Sequence, residues 1–60
     1  MHHYTYRVTW SDEDGEFVAT CDELPSLSWL AATTDDAMDG IRRIVLDTVE
    51  DLARAGERVP

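Results

Sequence analysis

Two neighbouring carboxylates are the residues of this 60-residue chain that come closest to a catalytic arrangement. Asp22 and Glu23 are adjacent, and nucleases use such pairs to hold metal ions that neutralise the attacking and leaving oxygens of phosphoryl transfer. The sequence places no third carboxylate beside them. We therefore expect no catalytic, cofactor-binding or metal-binding residues, and no enzyme activity. A residual RNA hydrolase that depends on Asp22 and Glu23 is the alternative.

The other reactive side chains are two histidines and one thiol. His2 and His3 carry a weak metal-binding signal, but histidines at a terminus are more often disordered or remnants of cloning. Cys21 lies on the apolar side of a predicted strand without a positioned basic neighbour, which predicts a buried structural thiol. A single cysteine also excludes an internal disulfide.

The charge of the chain is strongly negative. The chain has thirteen acidic residues and five basic ones, all arginines, which gives a formal net charge of -8. This charge repels phosphate backbones and argues against direct nucleic-acid binding, whereas it favours encounter with a basic partner. The alternative is that acidity only keeps a small protein soluble. No apolar run approaches the roughly 18 residues of a membrane span and no secretory leader precedes Tyr4, so we expect a cytoplasmic protein without membrane contact.

The length of the chain predicts one domain, residues 1–60, and a need for support. A folded domain of this size buries only about 60% of the surface that its unfolded chain exposes. Neither a disulfide nor zinc-like ligand spacing is available to compensate. We therefore expect a homo-oligomer, a dimer or larger, or a bound partner.

Three strands are predicted before a helix. Alternating apolar residues indicate a strand over 4–10, a polar turn closed by Gly15 leads into a second strand over 16–22, and Pro25 separates it from a third over 27–32. The third strand is apolar on both sides, which suggests cover on both faces. The predicted fold class is α+β, with a three-stranded antiparallel sheet in β-β-β-α order packed against one long C-terminal helix.

The predicted helix covers residues 34–55. Thr33 with Asp36 three residues later is typical of a helix N-cap, with Thr34 as the alternative cap, and Gly56 supplies a left-handed stop. Its apolar arc consists of Ala37, Met38, Ile41, Ile44, Val45, Thr48, Val49 and Leu52. A helix of about 33 Å is longer than strands of about 23 Å, so the last two turns should overhang the sheet.

The candidate partner-binding residues are large apolar side chains that one helix cannot cover. Tryptophan is enriched at binding hot spots, which singles out Trp10 and Trp29; the alternative is that both are ordinary core aromatics. The full set of candidates is Trp10, Trp29, Leu30, Leu46, Val49, Leu52 and Ala53. The last three are the predicted overhang, which we expect to face solvent or a second chain.

Four motifs occur in an order that resembles one family. They are Asp14-Gly15 with Phe17-Val18-Ala19, Glu23-Leu24-Pro25, Thr33 with Asp36-Ala37, and the stretch from Gly56 to Pro60. Together they look like the N-terminal domain of the HicB antitoxin family. Asp22 and Ser26 depart from it, since the family often has proline and glycine there. The resemblance implies a partial RNase H-like fold.

The resemblance also implies a function. HicB-like proteins neutralise small basic HicA-type mRNA-cleaving toxins, and in similar members a DNA-binding segment follows the proline-containing stretch. We expect the toxin-facing or self-associating part here and no DNA-binding domain within the chain. The sequence thus predicts an antitoxin-like binding domain. A stand-alone homo-oligomerisation module without a toxin is the alternative.

Overall fold

A computed structural model describes residues 3–60, which fold into three strands and one helix. The elements are β1 (Tyr6–Ser11), β2 (Glu16–Cys21), β3 (Ser28–Ala31) and α1 (Thr34–Arg54). The strands pair antiparallel in the order β1-β2-β3. The predicted α+β fold class, with a three-stranded antiparallel sheet and a C-terminal helix, is confirmed.

The β1–β2 hairpin closes as the sequence indicates but begins later. Gly15 has a φ of 65°, which suits glycine, and its N–H donates to the Ser11 carbonyl at 2.9 Å. β1 starts at Tyr6 rather than at residue 4, because the Thr5 N–H donates to Glu23 Oε1 at 2.7 Å instead of to a strand carbonyl. β2 begins at Glu16 as predicted but ends at Cys21 rather than at residue 22, and β3 is one residue shorter at each end than the predicted 27–32.

The pairing register divides the strand residues between two faces. The face toward α1 carries Tyr6, Val8, Trp10, Phe17, Ala19, Cys21, Trp29 and Ala31. The opposite face, called here the open face, carries Arg7, Thr9, Ser11, Glu16, Val18, Thr20, Ser28 and Leu30. No element within residues 3–60 covers the open face. The sequence suggests that both faces of the third strand are covered, but in the structure only the face toward α1 is covered.

The core lies between β2 and the middle of the helix. Its buried apolar side chains are Ala19, Cys21, Leu24, Ala37, Ile41 and Val45. Gly40 is buried as well, and the Trp29 ring occupies the space that a β-carbon on Gly40 would need. The Trp29 side chain therefore lies directly on the helix at this glycine. The prediction that Cys21 is a buried thiol is confirmed.

The two helix ends match the sequence signals. Thr33 is extended at φ −127°, and its hydroxyl accepts a hydrogen bond from the Asp36 N–H at 3.1 Å. At the other end Gly56 has a φ of 75°, and the Glu57 N–H donates to the Leu52 carbonyl at 2.9 Å, which is a Schellman closure. The helix ends at Arg54, one residue before the predicted limit.

The predicted overhang of the last two helical turns is wrong for Val49. Val49 is partly buried and packs against the core, and Leu52 is half-buried. The core extends beyond the strands, because Leu24 in the connection after β2 is buried and Leu27 packs on the same core. Of the three predicted overhanging residues, only Ala53 is exposed.

Candidate protein-binding surface

Four large apolar side chains are exposed to solvent. They are Trp10 at 52%, Trp29 at 42%, Leu30 at 41% and Leu46 at 60% exposure. All four belong to the predicted candidates, and the alternative that both tryptophans are ordinary core residues is wrong. A typical interface anchor is a large apolar group of this kind. Their placement decides whether they can act together.

Trp10 stands at the end of β1 on the helix side of the sheet. Its ring meets Phe17 edge to face, with centroids 5.0 Å apart and an interplanar angle of 71°. Its indole Nε1 donates to Asp12 Oδ1 at 2.6 Å. Both contacts fix the orientation of the ring, so Trp10 offers a rigid apolar surface whose immobilisation on binding costs little further entropy.

Leu46 lies on the helix flank that faces β1. One turn before it, the Arg42 guanidinium stands 5.8 Å from the centroid of the Tyr6 ring, which fixes the direction of this flank. Tyr6 and Val8 are half-buried below it. We call the series Trp10, Val8, Tyr6, Arg42 and Leu46 the β1 strip; strand and helix spacing give it a length of roughly 20 Å.

The other two exposed side chains lie elsewhere. Trp29 is on β3, against Gly40 on the opposite helix flank, and Leu30 is on the open face beside Val18. The structure therefore brings Trp10 and Leu46 to one strip and separates them from Trp29 and Leu30. The half-buried Val49 and Leu52 contribute little free surface.

Acidic residues concentrate at one end of the molecule. The Trp10–Phe17–Ala31 row marks the end of the sheet where the hairpin turns and the helix begins. Seven carboxylates belong to this hairpin turn, the start of β2 and the first helical turns, and no arginine does: Asp12, Glu13, Asp14, Glu16, Asp35, Asp36 and Asp39. The exposed Trp10 thus sits within strongly negative surroundings.

The adjacent carboxylates Asp22 and Glu23 hold the strands together at the other end. Asp22 accepts from Arg7 Nε at 2.8 and 3.0 Å. Glu23 accepts from the N–H of Thr5 and, at 3.0 Å, from its hydroxyl; the N–H hydrogen bond is the main cause that lowers the pKa of Glu23. These contacts give both residues a structural role.

The described part of the chain contains no pocket and no group of three or more His, Cys, Asp or Glu side chains arranged to hold a metal. His2 lies outside the described residues, so the structure does not test metal binding by His2 and His3. No helix within residues 3–60 combines the length and the apolar character that a membrane span requires.

Sequence reasoning missed two contacts that shape this surface. Gly40 allows Trp29 to lie on the helix, and Arg42 covers Tyr6 at the β1 strip. A glycine within an otherwise apolar helix face was the available signal for the first, because glycine costs about 1 kcal/mol there and needs a packing reason. Helical periodicity alone gives no signal for the second.

The fold and the surface define a small α+β domain with exposed apolar anchors in acidic surroundings. The chain belongs to the family described as a domain of unknown function, DUF1902, whose model matches residues 3–59. Comparisons with curated proteins and with solved structures gave no match.

Proposed function

We propose that this chain is a non-enzymatic, antitoxin-type protein-binding domain of the cytoplasm. Its partner would be a small basic HicA-type mRNA-cleaving toxin, neutralised by direct contact. The observation that carries the proposal is the exposed, rigidly held Trp10 within an acidic end of a domain of net charge -8. The motif resemblance to the HicB N-terminal domain, which implies a partial RNase H-like fold, supports it.

Charge is the physical reason for a basic partner. A toxin that cleaves mRNA must present positive surface to the phosphate backbone. The seven carboxylates around the hairpin end would attract that surface and raise the association rate, which falls steeply as salt is added. Apolar anchors would then hold the complex, because affinity depends mainly on desolvated aromatic contacts.

The proposal is tested by co-expression with each small reading frame beside the gene. We expect a neighbouring HicA-like protein to arrest growth alone, to be neutralised by this chain, and to bind it more weakly as salt rises. The variant Glu13→Gln should slow association, whereas the matched Glu57→Gln, at the other end, should not. The proposal is contradicted if the chain neither binds nor neutralises any HicA-type toxin, whether encoded beside the gene or taken from a panel of other HicA-type toxins.

A homo-oligomerisation module is the second candidate, and the open face favours it. Val18 and Leu30 pair there, and the only charged residues of this face are Arg7 and Glu16. Three strands of six residues at most offer a footprint of roughly 300 Å², however, which is well below the roughly 800 Å² per partner of a standard interface. Self-association through this face alone would be weak.

Salt separates the two candidates. Two chains of charge -8 at a separation of roughly 20 Å repel by about 7 kcal/mol at 0.01 M salt and by about 1 kcal/mol at 0.15 M. Self-association should therefore strengthen with salt, whereas binding to a basic toxin should weaken. Light scattering over a salt series measures self-association. A stable oligomer, with no toxin encoded near the gene, would favour the homo-oligomerisation module.

A further inference from the structure

The outer edge of β1 is unpaired, and its free backbone groups belong to three specific residues. The Asp22 N–H donates to the Thr5 carbonyl at 3.0 Å, so Thr5 faces β2, and antiparallel pairing alternates from there. The N–H and C=O groups of Tyr6, Val8 and Trp10 therefore point away from β2. Within residues 3–60 no strand pairs with them.

This edge carries few of the devices that block pairing with a foreign strand. β1 has a continuous register without a bulge, contains no proline, and includes Arg7 as its only charged residue. Its sequence is rich in β-branched and aromatic residues, which favour an extended conformation. It can therefore accept a fourth strand without rearrangement.

The side chains of the same three residues face the helix side, where the β1 strip lies. A strand added at this edge would place alternate side chains against Trp10 and beside the flank of Arg42 and Leu46. The strip length of roughly 20 Å equals that of about six extended residues. Backbone pairing and apolar contact would thus use one and the same segment of a partner.

The opposite edge is a poorer template. The same alternation of hydrogen-bonding direction applies to β3, where the backbone groups of Trp29 and Ala31 point toward β2. Only Ser28 and Leu30 of β3 have N–H and C=O groups that point away from the sheet. β3 has four residues against six in β1, and its Trp29 ring already lies on Gly40. The edge of β1 offers the longer ladder and the more exposed aromatic anchor.

Charge indicates which kind of strand would dock. The Trp10 end of the edge adjoins Asp12, whose carboxylate accepts from the indole, and it lies at the same end of the sheet as the acidic start of the helix. A second copy would bring another charge of -8 to this region, whereas a strand bearing lysine or arginine would be attracted. Lysine and arginine could also approach the exposed Trp10 ring face.

We propose that the basic partner binds by adding a β-strand, with alternating apolar and lysine or arginine side chains, to the free edge of β1 and over the β1 strip. This inference rests on the proposed function and specifies its contact surface. Main-chain hydrogen bonds supply affinity in this mode, and the pockets for alternate side chains supply specificity.

The test uses the isotope-labelled chain and a blocked seven-residue peptide that alternates lysine with valine. Binding should be saturable at about 1 mM peptide, and the amides of Tyr6, Val8 and Trp10 should gain at least roughly tenfold protection from hydrogen exchange. The amides of Ser28 and Leu30 should be unchanged. A glutamate–valine peptide should not bind, and a lysine–valine peptide with a central proline should give no protection.

Protein variants separate backbone pairing from general attraction. Val8→Pro removes an outward N–H and should weaken peptide binding about tenfold, while Leu30→Pro, the matched change on the other edge, should not. Trp10→Ala should weaken binding similarly and Leu30→Ala should not, which covers the case in which a proline variant fails to fold.

Protection at Ser28 and Leu30, equal binding of the proline peptide, or no saturable binding would overturn strand addition at β1. Those results would leave the proposed function intact if the chain still neutralises a HicA-type toxin. Loss of toxin neutralisation with normal peptide binding would instead contradict the proposed function.

Discussion

Replacement of Gly40 by alanine should destabilise the protein although alanine is the better helix former. The added β-carbon would overlap Cδ1 and Nε1 of Trp29, so the ring must leave the helix surface. Trp29 is 42% exposed, and the covered remainder of a tryptophan corresponds to roughly 3 kcal/mol of burial. Alanine regains about 1 kcal/mol of helix propensity. The net loss should be about 2 kcal/mol.

This loss is large for so small a domain. Sixty residues provide a stability on the order of 3 to 9 kcal/mol, and 2 kcal/mol lowers the melting temperature by roughly 10 °C. Thermal unfolding followed by far-UV circular dichroism measures the shift. Trp29 fluorescence, recorded in a Trp10→Phe background, should move to longer wavelength because the ring becomes more exposed.

A double-mutant cycle provides the control. With Trp29 replaced by alanine the overlap disappears, so Gly40→Ala should now stabilise the protein by about 1 kcal/mol through helix propensity. The sign of one substitution thus reverses with the residue at position 29. If Gly40→Ala raises the stability of the otherwise unaltered protein and leaves the Trp29 emission unchanged, the proposed packing of Trp29 on the helix is refuted.

Two further predictions concern the helix cap and a strand-end carboxylate. Thr33→Ala should lower the free energy of unfolding in urea by about 1 kcal/mol because it removes the acceptor for the Asp36 N–H, whereas Thr34→Ala should change it by only a few tenths. The hydrogen bond from the Thr5 N–H lowers the pKa of Glu23 in the folded state. The ionised Glu23 carboxylate therefore stabilises the fold at pH values above the ordinary glutamate pKa, and this stabilisation is lost as the pH falls through the pKa of the folded state. Glu23→Gln should therefore destabilise at neutral pH and flatten the acid limb of the stability–pH curve; an unchanged acid limb would show that this carboxylate is not linked to folding.

Local sequence signals were enough to predict the order of the elements. Alternation in β2, the cap at Thr33 and the left-handed turn at Gly56 act over a few residues, and the structure shows each of them. These features depend on neighbours in sequence, which is why they could be predicted.

Contacts between distant residues could not be predicted in the same way. The start of β1 at Tyr6 depends on the Glu23 carboxylate, which lies 18 residues from Thr5. Val49 packs against a core that includes Leu24, a residue outside the strands and 25 positions away in the chain. Periodicity identifies which residues are apolar on a helix, but the surface opposite them is set by the tertiary fold. The β1 strip is for the same reason a property of the structure.

The salt dependence of binding to a neighbouring HicA-type toxin tests the central claim most directly. Calorimetry at about 50 and 300 mM salt should show a complex that weakens at the higher salt, since a chain of charge -8 binds a basic surface. Absence of a complex at both concentrations, together with a homo-oligomer that strengthens with salt, would contradict the claim.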